Sequence, residues 1–264
     1  MITHDDHDGG SEYYPRIVLC LPGPWERRED LEARLREGPF RLEEGKLRAA
    51  DGRDAFEAEY RGPDPRMKSA FQVSACRVRP SLTPADFRLV EAHRGVLYVL
   101  SDPYGRSTAA AAAARMIEVG RALIDAGASA LKCESSGIAH SAARWRELGD
   151  RLPAWSTLFD AFVRLPILSE AEEIYSCGMH LLGAPDGLLP LAGFGQGNLM
   201  AAYQVLERFL RMTEQETGKP PLEVAFKDAA AGRFRSTLEP CTGYAPDDFM
   251  WNRWGCYRLQ RSTE

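Results

Sequence analysis

Apolar residues recur along this chain in two periods, and the change from one to the other marks out its elements. Residues 96–100, VLYVL, are a continuous apolar run ending at Ser101, Asp102 and Pro103, the pattern of a strand buried on both faces. Strong helix formers fill residues 107–126. Met116, Ile117, Val119, Leu123 and Ile124 fall there at helical spacing, and Gly127 follows as a C-terminal cap. Residues 128–133 are again short and apolar. Strand, helix and strand of these lengths predict a central βαβ unit whose two strands are parallel neighbours with a right-handed crossover. Gly120 inside the helix either lets it lie close on the sheet or is merely tolerated. Beyond the second strand comes a polar stretch with Glu134, Ser135, Ser136, Gly137 and His140. In α/β sheets, ligands bind in loops of this kind at the ends of strands.

The flanking segments repeat the pattern. Residues 16–21 predict a first strand, 25–37 a helix stopped by Gly38, and 40–42 with 46–48 a hairpin around Glu43, Glu44 and Gly45. Phe56, Ala58 and Tyr60 alternate with acidic residues, as in a strand with one wet face. Asp64 and Pro65 open a short helix carrying Met67, Ala70 and Phe71. Thr83-Pro84-Ala85-Asp86 is laid out as a helix start. Ser141 caps a helix through Glu147, and Trp155, Leu158, Phe159, Phe162 and Val163 form an apolar helical face. Residues 174–182 and 188–191 predict two strands, with Gly178 marking a bulge or a close backbone approach in the first. Asn198 opens a helix with Leu199, Tyr203, Leu206, Phe209, Leu210 and Thr213 on its core face, ended by Gly218-Lys219-Pro220. Strands at 222–226, 234–238 and 255–259 complete the chain. The fold class is therefore α+β: mixed β-sheets flanked by helices around the βαβ unit. It divides into two similar-sized halves, 15–152 and 153–264, or forms one continuous domain, behind a polar tail at 1–14 that is expected to be disordered.

Charge and cysteine usage narrow the function. A net charge of −5 argues against nucleic acid as a partner, because phosphate neutralisation needs clustered Lys and Arg. No run of about twenty apolar residues is present to span a bilayer, and MITHDDHDGG is the opposite of a signal peptide, so a cytoplasmic protein is expected. The six cysteines show no CxxC spacing and read as free thiols in a reducing compartment, each a small buried apolar residue.

Few motifs carry chemistry. Gly193-Phe194-Gly195-Gln196-Gly197-Asn198 lacks both the G-x-G-x-x-G spacing and the following acid of a dinucleotide loop, and reads as a flexible helix entry, with an anion at the helix N-terminus as the alternative. No metal or cofactor is expected: the HDDHD tail segment is a solvated stretch, and the histidines are too scattered to form a ligand set. An enzyme, a hydrolase or metal-dependent, would have to use Glu134, Ser135 and His140 with His180, and Cys133 with His140 is a further nucleophilic pair to weigh. A small-ligand sensor would use the same loop. There is no G-x-S-x-G elbow. As binding residues the candidates are Glu134, Ser135, Ser136, His140, Trp145, His180, Asp186, Trp251 and Trp254. The last two belong to an aromatic cluster that reads as core and terminal packing, although Trp, Tyr and Arg are also the residues enriched at interfaces.

The motifs LCLPGPW, DPRMKSAF, ALKCESSGIAHSAARW, YSCGMHLLGAPD and NRWGCYRL, taken in order from Arg16 to near the end, resemble the bacterial domain of unknown function 4261 family. The resemblance implies no reaction, cofactor or active site. Relatives of such domains occur beside polymorphic or type VI secretion toxins. By that analogy the expected function is a non-enzymatic immunity protein that docks on a basic toxin domain.

Overall fold

A computed structural model of the chain describes residues 13–76, 78, 80–168, 172–192, 194, 198–213 and 220–262. The acidic tail segment, the glycine loop apart from Phe194 and Asn198, and the Gly218-Lys219 helix stop lie outside them. The described residues fall into two compact units. One lies within Arg16–Asp102 and Ala110–Arg164, the other within Met1–Pro15, Pro103–Ala109 and Leu165–Glu264.

In the first unit, strong local signals set the elements. They are β1 (Val18–Gly23), α1 (Arg28–Leu35), β2 (Phe40–Glu43), β3 (Lys46–Ala49), β4 (Ala55–Arg61), α2 (Met67–Ser74), α3 (Pro84–Glu91), β5 (Gly95–Leu100), α4 (Ala109–Asp125), β6 (Ala130–Cys133), β7 (Ile138–Ser141), α5 (Ala142–Asp150) and α6 (Trp155–Phe162). The Thr83 start is a reciprocal cap: Asp86 N donates to Thr83 Oγ1 at 3.2 Å, and Thr83 N to Asp86 Oδ2 at 2.7 Å. Glu44 and Gly45, both at positive φ, turn the β2–β3 hairpin.

The strands form a seven-stranded sheet in the order β2-β3-β4-β5-β1-β6-β7, antiparallel throughout. β5 and β6, joined by α4, are parallel to one another but are not neighbours. β1 lies between them, pairing Cys20 with Tyr98 on one side and with Lys132 on the other. The expected neighbouring pair is thus a split one, because β1 supplies antiparallel partners to both strands. Cys20, Val96, Ala130 and Ala139 face α2 and α3 through Met67, Phe71 and Val90. Strand alternation turns Leu19, Leu97 and Leu131 to the opposite face. There α4 packs with Gly120 against the sheet, since a Cβ at Gly120 would stand 2.6 Å from Leu131 Cδ1 and 2.5 Å from Trp145 Nε1.

The second unit holds β8 (Ile167–Leu168), β9 (Glu173–Tyr175), β10 (Asp186–Pro190), α7 (Leu199–Met212), β11 (Glu223–Asp228), β12 (Gly232–Glu239) and β13 (Cys256–Arg261). They make a mixed sheet in the order β11-β12-β13-β10-β9-β8, parallel only where β10 meets β13. α7 buries Ala202, Val205, Leu206, Phe209 and Leu210, so Leu199 and Tyr203 lie at the margin of its core face. Asn198 occupies the N-cap position, but its side chain makes no cap bond. The strand expected at 174–182 is cut short. After Tyr175 the chain enters a 3₁₀ turn, Met179–Leu182, bounded by Gly178 at φ 116° and Gly183 at φ 75°. Only glycine takes these left-handed conformations without strain, so Gly178 is a turn residue and not a strand bulge.

Candidate functional site

Residues 134–137 are not an open ligand loop but the tight turn of a hairpin. Gly137, at φ 68°, sends its N–H to Cys133 O at 2.8 Å, and Ile138–Ser141 returns as the edge strand β7. Ser135 and Glu134 make structural bonds, whereas the buried Ser136 hydroxyl has no hydrogen-bond partner among the described residues. Ser135, fully buried, accepts from Val18 N at 3.0 Å and donates to Arg16 O at 2.7 Å, which anchors the start of β1. Glu134 donates its N–H to Val18 O and pairs its carboxylate with Lys132 at 2.6 Å. Ser136 lies buried beside the Cys133 thiol, which burial pushes up to about 11. Cys20 is raised further still, again by burial. Thiols held this firmly in the protonated form are not nucleophiles.

His140 projects into the core of the first unit. Its Nε2–H donates to Ala161 O at 3.0 Å, and its ring tilts against Trp145 at 5.6 Å. Trp145 in turn donates Nε1–H to Ile117 O at 3.1 Å. Neither Ser135 nor His140 bonds the other, so the nucleophile–base pair is not formed. Burial lowers the His140 pKa to about 4. The folded state therefore keeps a neutral ring where the unfolded chain, at about 6.5, takes a proton. The stability this supplies is complete above pH 6.5 and is lost as pH falls toward 4, by about 3 kcal/mol. His140→Phe should flatten the wild-type slope of unfolding free energy between pH 6.5 and 4. Urea titrations of both proteins across that range check it, and parallel slopes would show that the ring is solvated.

In the second unit, the 3₁₀ turn, β10 and the segment before β13 converge on one buried carboxylate. Asp186 Oδ1 accepts from Ser176 Oγ at 2.7 Å and from Met179 N at 3.3 Å, and Oδ2 accepts from Asn252 Nδ2 at 2.6 Å. His180 Nδ1 stands 3.9 Å from Oδ2, while His180 Nε2–H donates to Phe249 O at 3.0 Å. Ser176 Oγ also accepts Gly187 N at 2.8 Å, and Asn252 donates to Ala184 O and accepts from Trp254 N. Burial raises Asp186 to about 6 despite these donors. Serine, aspartate and histidine are all present, but in the wrong order for catalysis. The hydroxyl bonds the acid and not an imidazole, so the Ser–His–Asp relay is not formed.

The network holds a surface loop, residues 244–251, from beneath. Asp248 accepts Met250 N at 2.7 Å through Oδ1 and Trp251 N at 3.0 Å through its carbonyl, and Asp248 N donates to Ala245 O. His180 fixes the Phe249 carbonyl, yet the Phe249 side chain is 51 % exposed, beside exposed Asp247 and Asp248. Trp254, half-buried, donates Nε1–H to His180 O at 3.4 Å, and the Arg253 guanidinium stacks over Trp254 and Tyr14. Trp251 is half-buried at the loop's end. The structure thus brings His180, Asp186, Trp251 and Trp254 together, whereas Glu134, Ser135, Ser136, His140 and Trp145 belong to the other unit's core and turn. Sequence reading missed Ser176, Asn252, Asp247, Asp248 and Phe249. The last four lie in or beside the aromatic cluster, which was the signal available.

A groove of about 610 Å³ in the first unit, lined by Arg34, Leu35, Phe40, Arg115, Arg121 and Ala122 among others, touches none of the candidate residues. Arg115 and Arg121 are already paired there with Asp54, Glu118 and Asp150. Among the described residues no group of three His, Cys, Asp or Glu could hold a metal, and no helix is long and apolar enough to cross a membrane. All six cysteines are free, but only Cys20, Cys133 and Cys177 are buried as expected; Cys76 is exposed and Cys241 and Cys256 are half-buried. Comparison with known family models, with curated proteins and with solved structures finds no match to this chain.

Proposed function

We propose that this chain is a non-enzymatic binding protein that neutralises a basic bacterial toxin domain, such as a type VI secretion effector, by docking on it. The observation that carries the reading is the preorganised loop. Phe249 is held by its backbone carbonyl and is 51 % exposed, directly after exposed Asp247 and Asp248 in the chain. A rigid exposed aromatic loses little conformational freedom on binding and makes an effective anchor, and flanking acids select a cationic partner. The catalytic-looking groups, by contrast, are engaged in bonds that position backbone.

Occlusion is stoichiometric, so protection against a cognate toxin should saturate at a fixed molar ratio and should not grow with time. Phe249→Ala should weaken the complex by about 30-fold or more, the loss expected of a central anchor. Asp247→Lys should slow association and reduce its salt dependence. Protection that is substoichiometric, increases with time and disappears in Ser135→Ala would overturn the reading in favour of an enzyme.

A further inference from the structure

We propose that β11 is a self-pairing edge, through which two copies of this chain join antiparallel about a two-fold axis beside Ala225. The proposal is independent of toxin binding, so either can fail without the other. β11 ends its sheet among the described residues, and Glu223, Ala225 and Lys227 are exposed along it. The hydrogen-bond phase of the strand is given by its inner partner. Leu238 N donates to Leu222 O at 2.8 Å, and Ser236 Oγ donates to Val224 O at 3.1 Å, so the even-numbered residues turn their backbone groups toward β12. Antiparallel alternation then directs the N–H and C=O of Glu223, Ala225 and Lys227 to the open side.

A two-fold axis beside Ala225 sets Ala225 opposite its own copy and Glu223 opposite Lys227 of the second copy, twice. All three are outward-bonding positions, so backbone phase and charge are satisfied together, as an isologous contact requires. The same register places half-buried Val224 opposite half-buried Phe226 on the other face. Leu222, 69 % exposed, flanks the strip. A lysine on an edge strand ordinarily guards against pairing. Here Lys227 lies directly opposite Arg233 within the chain, with Arg235 on the same face, and forms no ion pair with another described residue. Like charges opposed across a ladder are unfavourable, and Glu223 of a second copy comes to the position that relieves them.

Sedimentation analysis over a concentration series tests the proposal. The wild type should dimerise reversibly. Glu223→Lys and Lys227→Glu should each weaken the dimer about tenfold or more, since either reversal replaces two attractive pairs by two repulsive ones. The double variant E223K/K227E should recover wild-type affinity. Ala225→Pro removes only an outward N–H and should give a monomer with unchanged circular dichroism. If that variant unfolds, the charge swap still decides. A chain that stays monomeric throughout, or a dimer that ignores the reversals, would overturn self-pairing. So would a monomeric chain whose edge takes up a labelled peptide of alternating Glu and Val, which would assign the edge to a foreign strand.

Discussion

Asp186→Ala is expected to destabilise the second unit by about 3–5 kcal/mol, the loss typical of removing a charged partner from a buried hydrogen-bonded network. The substitution leaves the Ser176 hydroxyl, the Met179 N–H and the Asn252 amide without their acceptor in a region closed to water. Each orphaned donor costs about 1–3 kcal/mol, though not additively. Structural consequences follow from the connectivity. Ser176 holds Gly187, Asn252 holds Ala184 and Trp254, and the turn between them seats His180 under Phe249. Hydrogen exchange should therefore accelerate together at residues 176–187 and 249–254, and partner binding should fall even though Asp186 is buried. Asp186→Asn, which keeps one acceptor, should cost less. It should also change the pH dependence. With the native carboxyl raised to about 6, the folded state holds a proton that the unfolded chain has released. The contribution of this group to stability therefore falls as pH rises from about 4 to 6, opposite in sign to that of His140. An alanine variant with wild-type stability and intact exchange protection would show that the network is not what holds the loop.

Gly120→Val should be comparably severe, and Gly120→Ala should destabilise although alanine is the better helix former. Alanine would gain about 1 kcal/mol from backbone entropy at an exposed helical position. Here its Cβ would fall 2.5 Å from Trp145 Nε1 and 2.6 Å from Leu131 Cδ1, both in fully buried side chains. Displacing the indole breaks its bond to Ile117 O and disturbs its contacts with His140 and Phe162. Overpacking of this kind costs about 1–3 kcal/mol for one methyl group and more for a branched side chain. Urea midpoints read by tryptophan fluorescence check the size of the effect. Trp145→Phe should partly relieve Gly120→Ala by vacating the space occupied by the pyrrole edge. A gain in stability from Gly120→Ala alone would mean that α4 does not approach the sheet so closely.

What the sequence by itself determined about this protein is whatever a few neighbouring residues encode. Thr83 and Asp86 contain both halves of a cap, Ser141 accepts Arg144 N at its helix start, and Gly127, at φ 108°, ends α4 as its lack of a side chain allows. Alternation and helical spacing likewise sufficed for the α+β class and for β11, β12 and β13, the three C-terminal strands. Only the tertiary structure decided the rest, because it depends on groups far apart in the chain. Ile138–Ser141 is too short to read as a strand without β6 beside it, and the order β5-β1-β6 depends on which strand satisfies both open edges. His180 looked like part of a strand because the residues around it are apolar. Two glycines instead wind it into a turn whose polar groups are met 66 to 69 residues later, by Asn252 and the Phe249 carbonyl. Whether a buried serine or histidine is free for chemistry depends on such distant partners. Local sequence therefore located the polar residues, and long-range hydrogen bonding determined that Ser135, His140 and His180 hold the backbone in place.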